Sequence, residues 1–494
     1  MQILTAESAQ VIYVIQLSFS IGRPIVRPNT ITLAAPLHFM NTPSNETAFT
    51  IDTSSIKFGP KITNEAGYEL ARLGAKRVLV VTDPQMASSE AVRIATDSLK
   101  QANIDFTVFD QVSIEPTDTS LKEAIKFTID GNFDGFLPVG GGSSIDTAKA
   151  ANLYSTYPAD FLEYVNAPIG KGTPVPGELK PLVAVPTTAG TGSETTGVAI
   201  FDFEELGAKT GIAHRSLRPD IGLVDPHNTR SLPKMVAACS GFDVLCHGIE
   251  SYTALPFSQR EAPPTPTHRP AYQGANPISD VWALAALEMV GKSILPAVLD
   301  DNDTEARSNM AMAATFAGVG FGNAGVHLPH GMSYPVSGLV KQYTPEGYPE
   351  GHPIVPHGMA VILNAPAVFR YTASSNPERH MRAAQLLGAD VTGAGPEDAG
   401  DLIAERLIFI LRNRCAKRPR RSRLHRRRHP PTRRRHAPPA PCYQARPTPN
   451  RRRRTNRTIQ RLNETLLGRV RRFLRGRSNR TVTLLGAGQP WTSL

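Results

Sequence analysis

Short apolar segments alternate with amphipathic segments in the first half of the chain, and this alternation limits the possible folds more than any other feature. The apolar segments at 77–84, 106–109 and 135–139 are rich in β-branched or aromatic residues and predict buried strands. The stretches between them, 88–101 and 120–129, have helical spacing. Strands that alternate with helices form crossover units, so the pattern predicts an α/β fold with a mostly parallel sheet.

The composition changes after Asp225-Pro226. Residues 232–300 and 304–325 are rich in Ala, Leu, Met and Ile at helical spacing, with a loop near 256–277 that contains six prolines. This pattern predicts a second, all-α domain. We therefore expect a disordered leader at 1–48, an α/β domain at 49–230, a helical domain at 231–411, and an Arg/Pro-rich disordered tail at 412–494.

The charge of the chain is divided between two unlike parts. The whole sequence of 494 residues carries a net charge of +11, yet residues 412–494 hold 25 Arg and one Lys against a single acid. Residues 1–411 therefore carry −14. The tail has no apolar period and cannot bury enough surface to offset its ordering entropy, so we expect disorder there. Its arginine runs leave nucleic-acid binding open as an alternative function, but the tail offers few aromatic side chains for base stacking.

Cysteine content and the leader bear on location. Four cysteines in so long a chain are too few for a disulfide framework, which favours a reducing compartment. No apolar run reaches the ~20 residues that a membrane helix needs, so we expect no membrane partner. Residues 1–40 contain two arginines and one acid, which is compatible with a mitochondrial presequence, although Met40 is an alternative start. We expect a cytoplasmic location, with mitochondria as the alternative.

A glycine-rich stretch, Gly140 to Ala150, directly follows the third predicted strand and begins a helix. Its glycines let backbone N–H groups approach an anion closely, and the N-terminus of a helix favours negative charge. We expect Ser143 or Ser144 to cap this helix. The stretch is neither a Walker loop nor a GxGxxG fingerprint, so the pattern alone leaves a phosphate site and an ordinary glycine-rich turn both open.

A second polar stretch, Pro186 to Thr195, follows the apolar segment 182–185. Its hydroxyls and glycines suit a pyrophosphate or a nicotinamide amide, and a polar turn capped by Ser or Thr is the alternative. Asp83 ends the first predicted strand, where a carboxylate can accept hydrogen bonds from a ribose diol. A simple Asp-Pro turn is the alternative interpretation of Asp83.

Four potential metal ligands lie in the second half of the chain: Asp243, His247, His330 and His357. The first two are spaced i, i+4, so both face one side of a helix. The other two each stand in a His-Gly-Met step. One carboxylate and three imidazoles suit Fe(II) or Zn(II), and spacing does not choose between them. The competing imidazoles His327 and His352 are interpreted as structural.

Taken in order, these segments resemble the iron-containing alcohol dehydrogenase family. The matching motifs are GGGSSIDTAKA, PTTAGTGSET, FDVLCHGIESYTA, HGMSYP and PHGM, and the resemblance covers about residues 50–410. It implies an α/β dinucleotide-binding domain with a parallel sheet, followed by an all-α metal-binding domain, the architecture also seen in dehydroquinate synthase. It further implies NAD(H) and a divalent metal between the two domains, and a homo-oligomer.

The resemblance also implies roles for individual residues. The metal ligands would be Asp243, His247, His330 and His357, holding Fe(II) rather than Zn(II). The cofactor would lie against Asp83, Gly141, Gly142, Ser143, Asp146, Thr187, Thr188, Ser193 and Lys209. For Lys209, an ordinary exposed lysine is the alternative.

One departure from the family pattern concerns Tyr334. Many members read His-Gly-Met-Ala-His-Pro where this chain has Tyr334, so we add this residue to the catalytic candidates. The change disfavours a histidine relay for simple alcohol oxidation. It fits the branch of the family that passes a hydride from a hydroxyacid, such as 4-hydroxybutyrate, through bound NAD to an oxoacid, such as 2-oxoglutarate. An NAD(P)-dependent alcohol dehydrogenase is the alternative.

A second departure is the tail, because the family's helical domain continues in mixed composition where this chain turns Arg/Pro-rich. Such a run is typical of an out-of-frame reading of a GC-rich gene, so we expect the helical domain to be incomplete, and an inactive product is a further alternative. Carboxylate substrates need a cationic partner. Arg260 and Arg269, in the proline-rich loop, are the candidates, and solvated loop arginines are the alternative.

Overall fold

The computed structural model describes residues 45–339, 342–348 and 353–413. The expectations for residues 1–44, for 414–494 and for His352 lie outside these residues. The strands are β1 (Ser55–Phe58), β2 (Arg77–Val81), β3 (Asp105–Phe109), β4 (Gly135–Gly140), β5 (Val183–Pro186), β6 (Val198–Phe203), β7 (Ala208–Ala213) and β8 (Ile221–Val224). The helices are α1 (Ala66–Arg72), α2 (Glu90–Gln101), α3 (Asp118–Gly131), α4 (Gly142–Thr156), α5 (Lys234–Thr253), α6 (Pro277–Leu299), α7 (Thr304–Ala324), α8 (Leu328–Leu339), α9 (His357–Thr372), α10 (Pro377–Leu386) and α11 (Ala399–Asn413).

Six strands form one parallel sheet in the order β1-β8-β5-β4-β2-β3, and β6 and β7 form a separate antiparallel hairpin. The central strands β2, β4 and β5 are buried almost throughout, as expected for strands covered on both faces. Helices α1 to α4 connect and cover the strands. The predicted α/β fold with a parallel sheet is therefore confirmed.

In this half of the chain, N-cap side chains set the first residue of each of the two predicted helices. The predicted helix at 88–101 is α2, which starts at Glu90 because the Ser89 hydroxyl accepts the N–H of Val92. The predicted helix at 120–129 is α3, which starts at Asp118 because Thr117 and Ser120 form a capping box. Side-chain capping thus shifts both starts by two residues from the limits of the apolar pattern.

The second half of the described chain is helical from α5 onward. Helices α5, α6, α7, α9 and α11 share one apolar core. By length and composition alone, α6 would suit a membrane span, with a mean hydropathy of 1.5. However, Ala286, Leu287 and Val290 of α6 are fully buried in the core beside α5 and α7, so burial inside the protein accounts for its apolar character.

Two predicted boundaries are displaced. Residues 45–48, assigned to the leader, are in the structure, because the buried Glu46 accepts hydrogen bonds from Arg269 at 2.9 and 3.2 Å. At the other end, α11 continues through Asn413 rather than stopping at 411. Leu407 and Ile410 anchor this last turn in the helical core.

The two halves meet where the second polar stretch packs against α7. Gly192 has a left-handed backbone (φ +61°), and a Cβ atom on it would lie 2.7 Å from the Cα of Gly318 in α7. Arg218 adds a hydrogen bond of 2.9 Å to the Gly322 carbonyl of the same helix. The loop at 186–195 therefore rests on the helical half of the molecule.

Candidate metal and nucleotide site

The four predicted metal ligands converge on one point between three helices. Asp243 and His247 lie one turn apart on α5, His330 lies in the first turn of α8, and His357 is the first residue of α9. The Nε2 atoms of His247, His330 and His357 lie 3.6, 3.4 and 3.7 Å from Oδ1 of Asp243. Two atoms that each bind one ion at about 2.1 Å lie about 3.4 Å apart at a tetrahedral angle. The ligand atoms of Asp243, His330 and His357 all lie within 4.8 Å of one another and suit a single divalent ion, and His247 joins this group through its distance to Asp243.

Unsatisfied polar atoms point to the same position. Oδ1 of Asp243 and Nε2 of His330 are buried and have no hydrogen-bond partner among the described residues. Buried polar atoms are normally paired, and two orphans that face each other need a common partner. A cation held by these ligands satisfies both, so the residues present fit a metal.

Burial and the neighbouring charges shift the pKa values of the clustered side chains in different directions. Burial opposes the charge of Asp243, but the surrounding imidazoles outweigh burial and hold its pKa well below the usual range. Burial lowers the pKa of His247 to about 3. Burial also acts to lower the pKa of His330, but Glu250 and Asp243 outweigh it and raise that pKa to about 10. A metal binds only the neutral imidazole, so a cation and a proton compete for His330.

Glu250, which the sequence analysis missed, orients one ligand. Its Oε1 lies 2.6 Å from Nδ1 of His330, and its Oε2 accepts the backbone N–H of His327 at 2.6 Å. A carboxylate behind a metal-binding imidazole fixes the tautomer and the ring orientation. Glu250 lies three residues after His247 on α5, and this His-x-x-Glu spacing is the signal that could have revealed it. The ring of His327 faces Thr253, with 2.9 Å between Nε2 and Oγ1, which agrees with its structural interpretation.

Aromatic rings border the metal position. Phe321 stacks on His247 with 3.9 Å between ring centroids and 12° between planes, which fixes that imidazole. Burial raises the pKa of Tyr334, and the nearby ammonium of Lys209 counters part of this shift. Burial thus keeps the Tyr334 hydroxyl uncharged at neutral pH.

The first glycine-rich stretch forms the N-terminus of α4. Neither Ser143 nor Ser144 caps this helix: it begins at Gly142, before both serines, and Gly141 is its N-cap. The hydroxyl of Ser143 instead accepts the N–H of Glu115 at 3.2 Å. The helix end lacks a side-chain cap, so its first N–H groups are available to an anion.

The two polar stretches touch each other. A Cβ atom on Gly142 would lie 2.6 Å from Cγ2 of Thr191, and one on Gly141 would lie 3.2 Å from Cγ2 of Thr188. The Thr187 N–H donates to the Gly140 carbonyl at 2.9 Å. The predicted cofactor residues Gly141, Gly142, Thr187 and Thr188 therefore lie next to one another, where the two stretches meet.

Two other predicted cofactor residues bind each other. Ser193 donates to Oδ1 of Asp146, whose Oδ2 accepts the N–H of Ile200 at 2.9 Å. The ammonium of Lys149 bonds Ser193 at 2.7 Å, and burial lowers the pKa of Lys149 to about 8. Asp146 and Ser193 therefore hold the second loop against α4 through their side chains.

Asp83 forms the turn that the sequence suggests. Its Oδ1 accepts the N–H groups of Gln85 and Met86 at 3.0 and 3.1 Å, and its Oδ2 lies beside Gly140. Burial raises the pKa of Asp83. One carboxylate oxygen thus stabilises the turn while the other faces the first loop.

Lys209 is buried, which excludes the ordinary exposed lysine. It lies on β7, and its Nζ is 2.7 Å from Oε2 of Glu115 and 2.9 Å from Oδ1 of Asp202. The two carboxylates outweigh burial and hold the pKa of Lys209 well above its usual value. Glu115 was not predicted, because it lies in a loop distant in sequence from every motif.

Comparison with known proteins decides the family. A model described as "Iron-containing alcohol dehydrogenase" matches residues 53–226, and one described as "Fe-containing alcohol dehydrogenase family, C-terminal" matches residues 271–413. The chain belongs to the iron-containing alcohol dehydrogenase family. This protein is accordingly an oxidoreductase, and the predicted resemblance is confirmed.

Relatives and solved structures support this membership. The chain is 56% identical to hydroxyacid-oxoacid transhydrogenase, mitochondrial, of Bos taurus, over 75% of this chain and 80% of the relative. It is 54% identical to the Homo sapiens protein of the same name over the same shares. Among solved structures, a 1,3-propanediol oxidoreductase aligns with a TM-score of 0.65 at 27% identity, covering 75% of this chain and 87% of that one. The Oenococcus oeni alcohol dehydrogenase aligns with a TM-score of 0.64 at 26% identity, covering 74% and 88%.

For this family member, the structure separates the two arginines suggested as carboxylate partners. Arg269 already pairs with Glu46. Arg260 donates to the Tyr272 carbonyl at 3.0 Å, its Nε has no hydrogen-bond partner, and no carboxylate of the described residues lies within ion-pair distance of it. Among the described residues, Arg260 is therefore the one of the two arginines that has no carboxylate partner.

Proposed function

We propose that this protein is a hydroxyacid-oxoacid transhydrogenase that uses bound NAD(H). The observation that carries the proposal is the 54–56% identity to relatives of that name over four fifths of their length. Tyr334, in the position where many family members have a second histidine, supports the same branch. The substrates would be a hydroxyacid such as 4-hydroxybutyrate and an oxoacid such as 2-oxoglutarate.

The chain's own residues would organise this reaction around the converging ligands. A divalent metal, when bound by Asp243, His247, His330 and His357, would act as a Lewis acid toward the substrate's oxygen. Glu250 holds the His330 ring in place, and Phe321 holds that of His247. The loops at 140–150 and 186–195 would hold the nicotinamide cofactor, which carries the hydride between the two substrates.

The charge state of Arg260 fits a carboxylate substrate. A guanidinium without a carboxylate partner in a largely buried position is costly, and an anionic ligand would compensate it. We therefore favour Arg260 over Arg269 for this role. Replacing Arg260 by Met should raise the KM for both acids and leave the nucleotide affinity unchanged.

The metal would be Fe(II), following the family's description. Reconstitution of the metal-free protein with Fe(II) or Zn(II), followed by measurement of both half-reactions, distinguishes the two ions. The relatives' names also support a mitochondrial location over the cytoplasmic one that we expected. We keep the homo-oligomer as a proposal, which sedimentation measures directly.

The decisive experiment supplies 4-hydroxybutyrate and 2-oxoglutarate without added nucleotide and measures both products. A transhydrogenase forms 2-hydroxyglutarate and the semialdehyde in equal amounts. His247→Ala should abolish both half-reactions, whereas His268→Ala, an exposed histidine, should leave them intact. Unchanged turnover in His247→Ala would refute the assigned site.

The alternative is an NAD(P)-dependent alcohol dehydrogenase that releases its cofactor at each turnover, favoured by the family match and the Oenococcus oeni likeness. This enzyme would reduce added NAD in the presence of the hydroxyacid alone, which absorbance follows. Product formation that depends on free nucleotide, with no dependence on an oxoacid, would establish this alternative.

A further inference from the structure

Glu115 lies in the loop between β3 and α3 with a left-handed backbone (φ +54°). A glutamate rarely adopts this conformation, and such residues persist only where the surrounding contacts enforce it. Here the contact is made by the backbone itself, because the Glu115 N–H donates to the Ser143 hydroxyl at 3.2 Å. Glu115 is therefore fixed to the first turn of α4, in the proposed nucleotide loop.

The carboxylate of Glu115 makes two different contacts with its two oxygens. Oε2 pairs with Lys209 of β7 at 2.7 Å, and Oε1 accepts the backbone N–H of His357 at 3.2 Å. His357 begins α9 after Pro356, which offers no side-chain cap. Glu115 thus supplies an acceptor and a negative charge at a helix N-terminus that lacks its own.

Lys209 has a second carboxylate partner besides Glu115. Asp202 lies directly across the β6–β7 hairpin from Lys209 and pairs with it at 2.9 Å. The Asp202 N–H also donates to the Pro116 carbonyl at 2.7 Å, which attaches the hairpin to the Glu115 loop. The charge of Lys209 is thus already compensated by Asp202. The Glu115 carboxylate instead connects β7 to the N-terminus of α9.

We propose that Glu115 is a positioning residue that couples the nucleotide loop to the metal-binding helix α9. It joins the N-terminus of α4, the hairpin lysine and the N-terminus of α9 through direct contacts. A shift of the first loop when the nucleotide binds then moves the backbone of His357. Such coupling is reciprocal, so metal binding must change nucleotide affinity by the same factor. The inference rests on the proposed function only in taking the two loops as a nucleotide site.

The test measures binding without turnover. NADH is titrated by fluorescence into protein freed of bound nucleotide, once without metal and once loaded with Zn²⁺, and the ratio of the two Kd values is the coupling. We expect at least about a fivefold ratio in the wild-type protein, the lower end of typical allosteric coupling. Glu115→Gly should bring the ratio close to one.

Glycine is the appropriate replacement because it adopts a left-handed backbone without strain, so the fold should persist. Glu115→Gln provides a second variant that keeps an acceptor for the His357 N–H but loses the negative charge that faces Lys209, and an intermediate ratio is expected. Glu163→Gln is the matched control, because Glu163 also binds a lysine and a hydroxyl, Lys171 and Thr173, in another loop. A merely structural role would lower thermal stability in the variants and leave the ratio unchanged.

The outcomes separate this inference from the proposed function. Wild-type coupling retained in Glu115→Gly and Glu115→Gln overturns the inference alone. A wild-type protein that transfers hydride but binds NADH equally well with and without metal also overturns it alone. A wild-type protein that is free of nucleotide and still binds no NADH overturns both.

Discussion

At the scale of single residues, the site depends on side chains that never meet a substrate. Glu250 is completely buried and holds His330, and Lys149 is completely buried and holds Ser193. Both place charge in the interior, where a charge left unpaired is costly. Removal of Glu250 should therefore change the position of the His330 ring, and removal of Lys149 should change that of the Ser193 side chain. Neither change alters a contact with substrate.

Glu250→Gln should weaken metal binding by about 10–100-fold, because the neutral amide no longer raises the basicity of His330. Competition with a chelator of known affinity measures the change. Glu288→Gln serves as the control, since Glu288 is exposed on α6 and pairs only with Lys292 among the described residues. Equal metal affinity in wild-type and Glu250→Gln would show that the carboxylate does not act on the ligand.

At the residue level, the sequence offered candidate ligands only where chemistry is concentrated in a motif. Asp243 and His247 share one helix face, and two His-Gly-Met steps supplied the other ligands. Glu115 had no such signal, because its partners Ser143, Lys209 and His357 come from distant segments. Only the fold brings those segments together, so the spacing of residues along the sequence does not indicate the contacts of Glu115.

At the scale of elements, periodicity located the helices and strands, and capping set their ends. The serine caps expected for α4 did not form, because its glycines let the helix start earlier. Pro138 lies in the central strand β4, where a proline is normally excluded. The ladder between β4 and β5 has pairs at Phe136–Leu182 and Val139–Val185, and Pro138 falls between these pairs. Sequence rules could not foresee this register.

The last described helix provides a test of packing. Leu407→Ala in α11 should lower the free energy of unfolding by about 2–5 kcal/mol, because Leu407 is fully buried in the helical core. Phe409→Ala on the same helix should change it by less than about 1 kcal/mol, because Phe409 is 46% exposed. Denaturant unfolding measures both. Similar losses in the two variants would mean that α11 is not anchored through its buried face.

At the scale of the whole molecule, charge is unevenly distributed along the chain. Residues 1–413 carry a net charge of −13, whereas the complete chain carries +11. Electrostatic attraction to polyanions therefore belongs to the segment after α11 and not to the enzyme body.

The complete chain should bind a heparin column at pH 7 and elute with salt, because cationic side chains release counterions from the polyanion. The chain ending at Asn413 should pass through the same column. Equal retention of both would locate a basic surface on the described body and would revive nucleic acid as a partner of the enzyme itself.

The contact between Gly192 and Gly318 has a consequence for exchanging parts between relatives. The loop that would hold the cofactor packs against α7, which lies more than 100 residues later in the chain. A chimera that takes only the α/β half from another family member would place a new loop on the α7 of this chain, and any side chain at position 192 of that loop would collide with Gly318. The smallest transplantable unit of cofactor recognition is therefore discontinuous in sequence and includes α7.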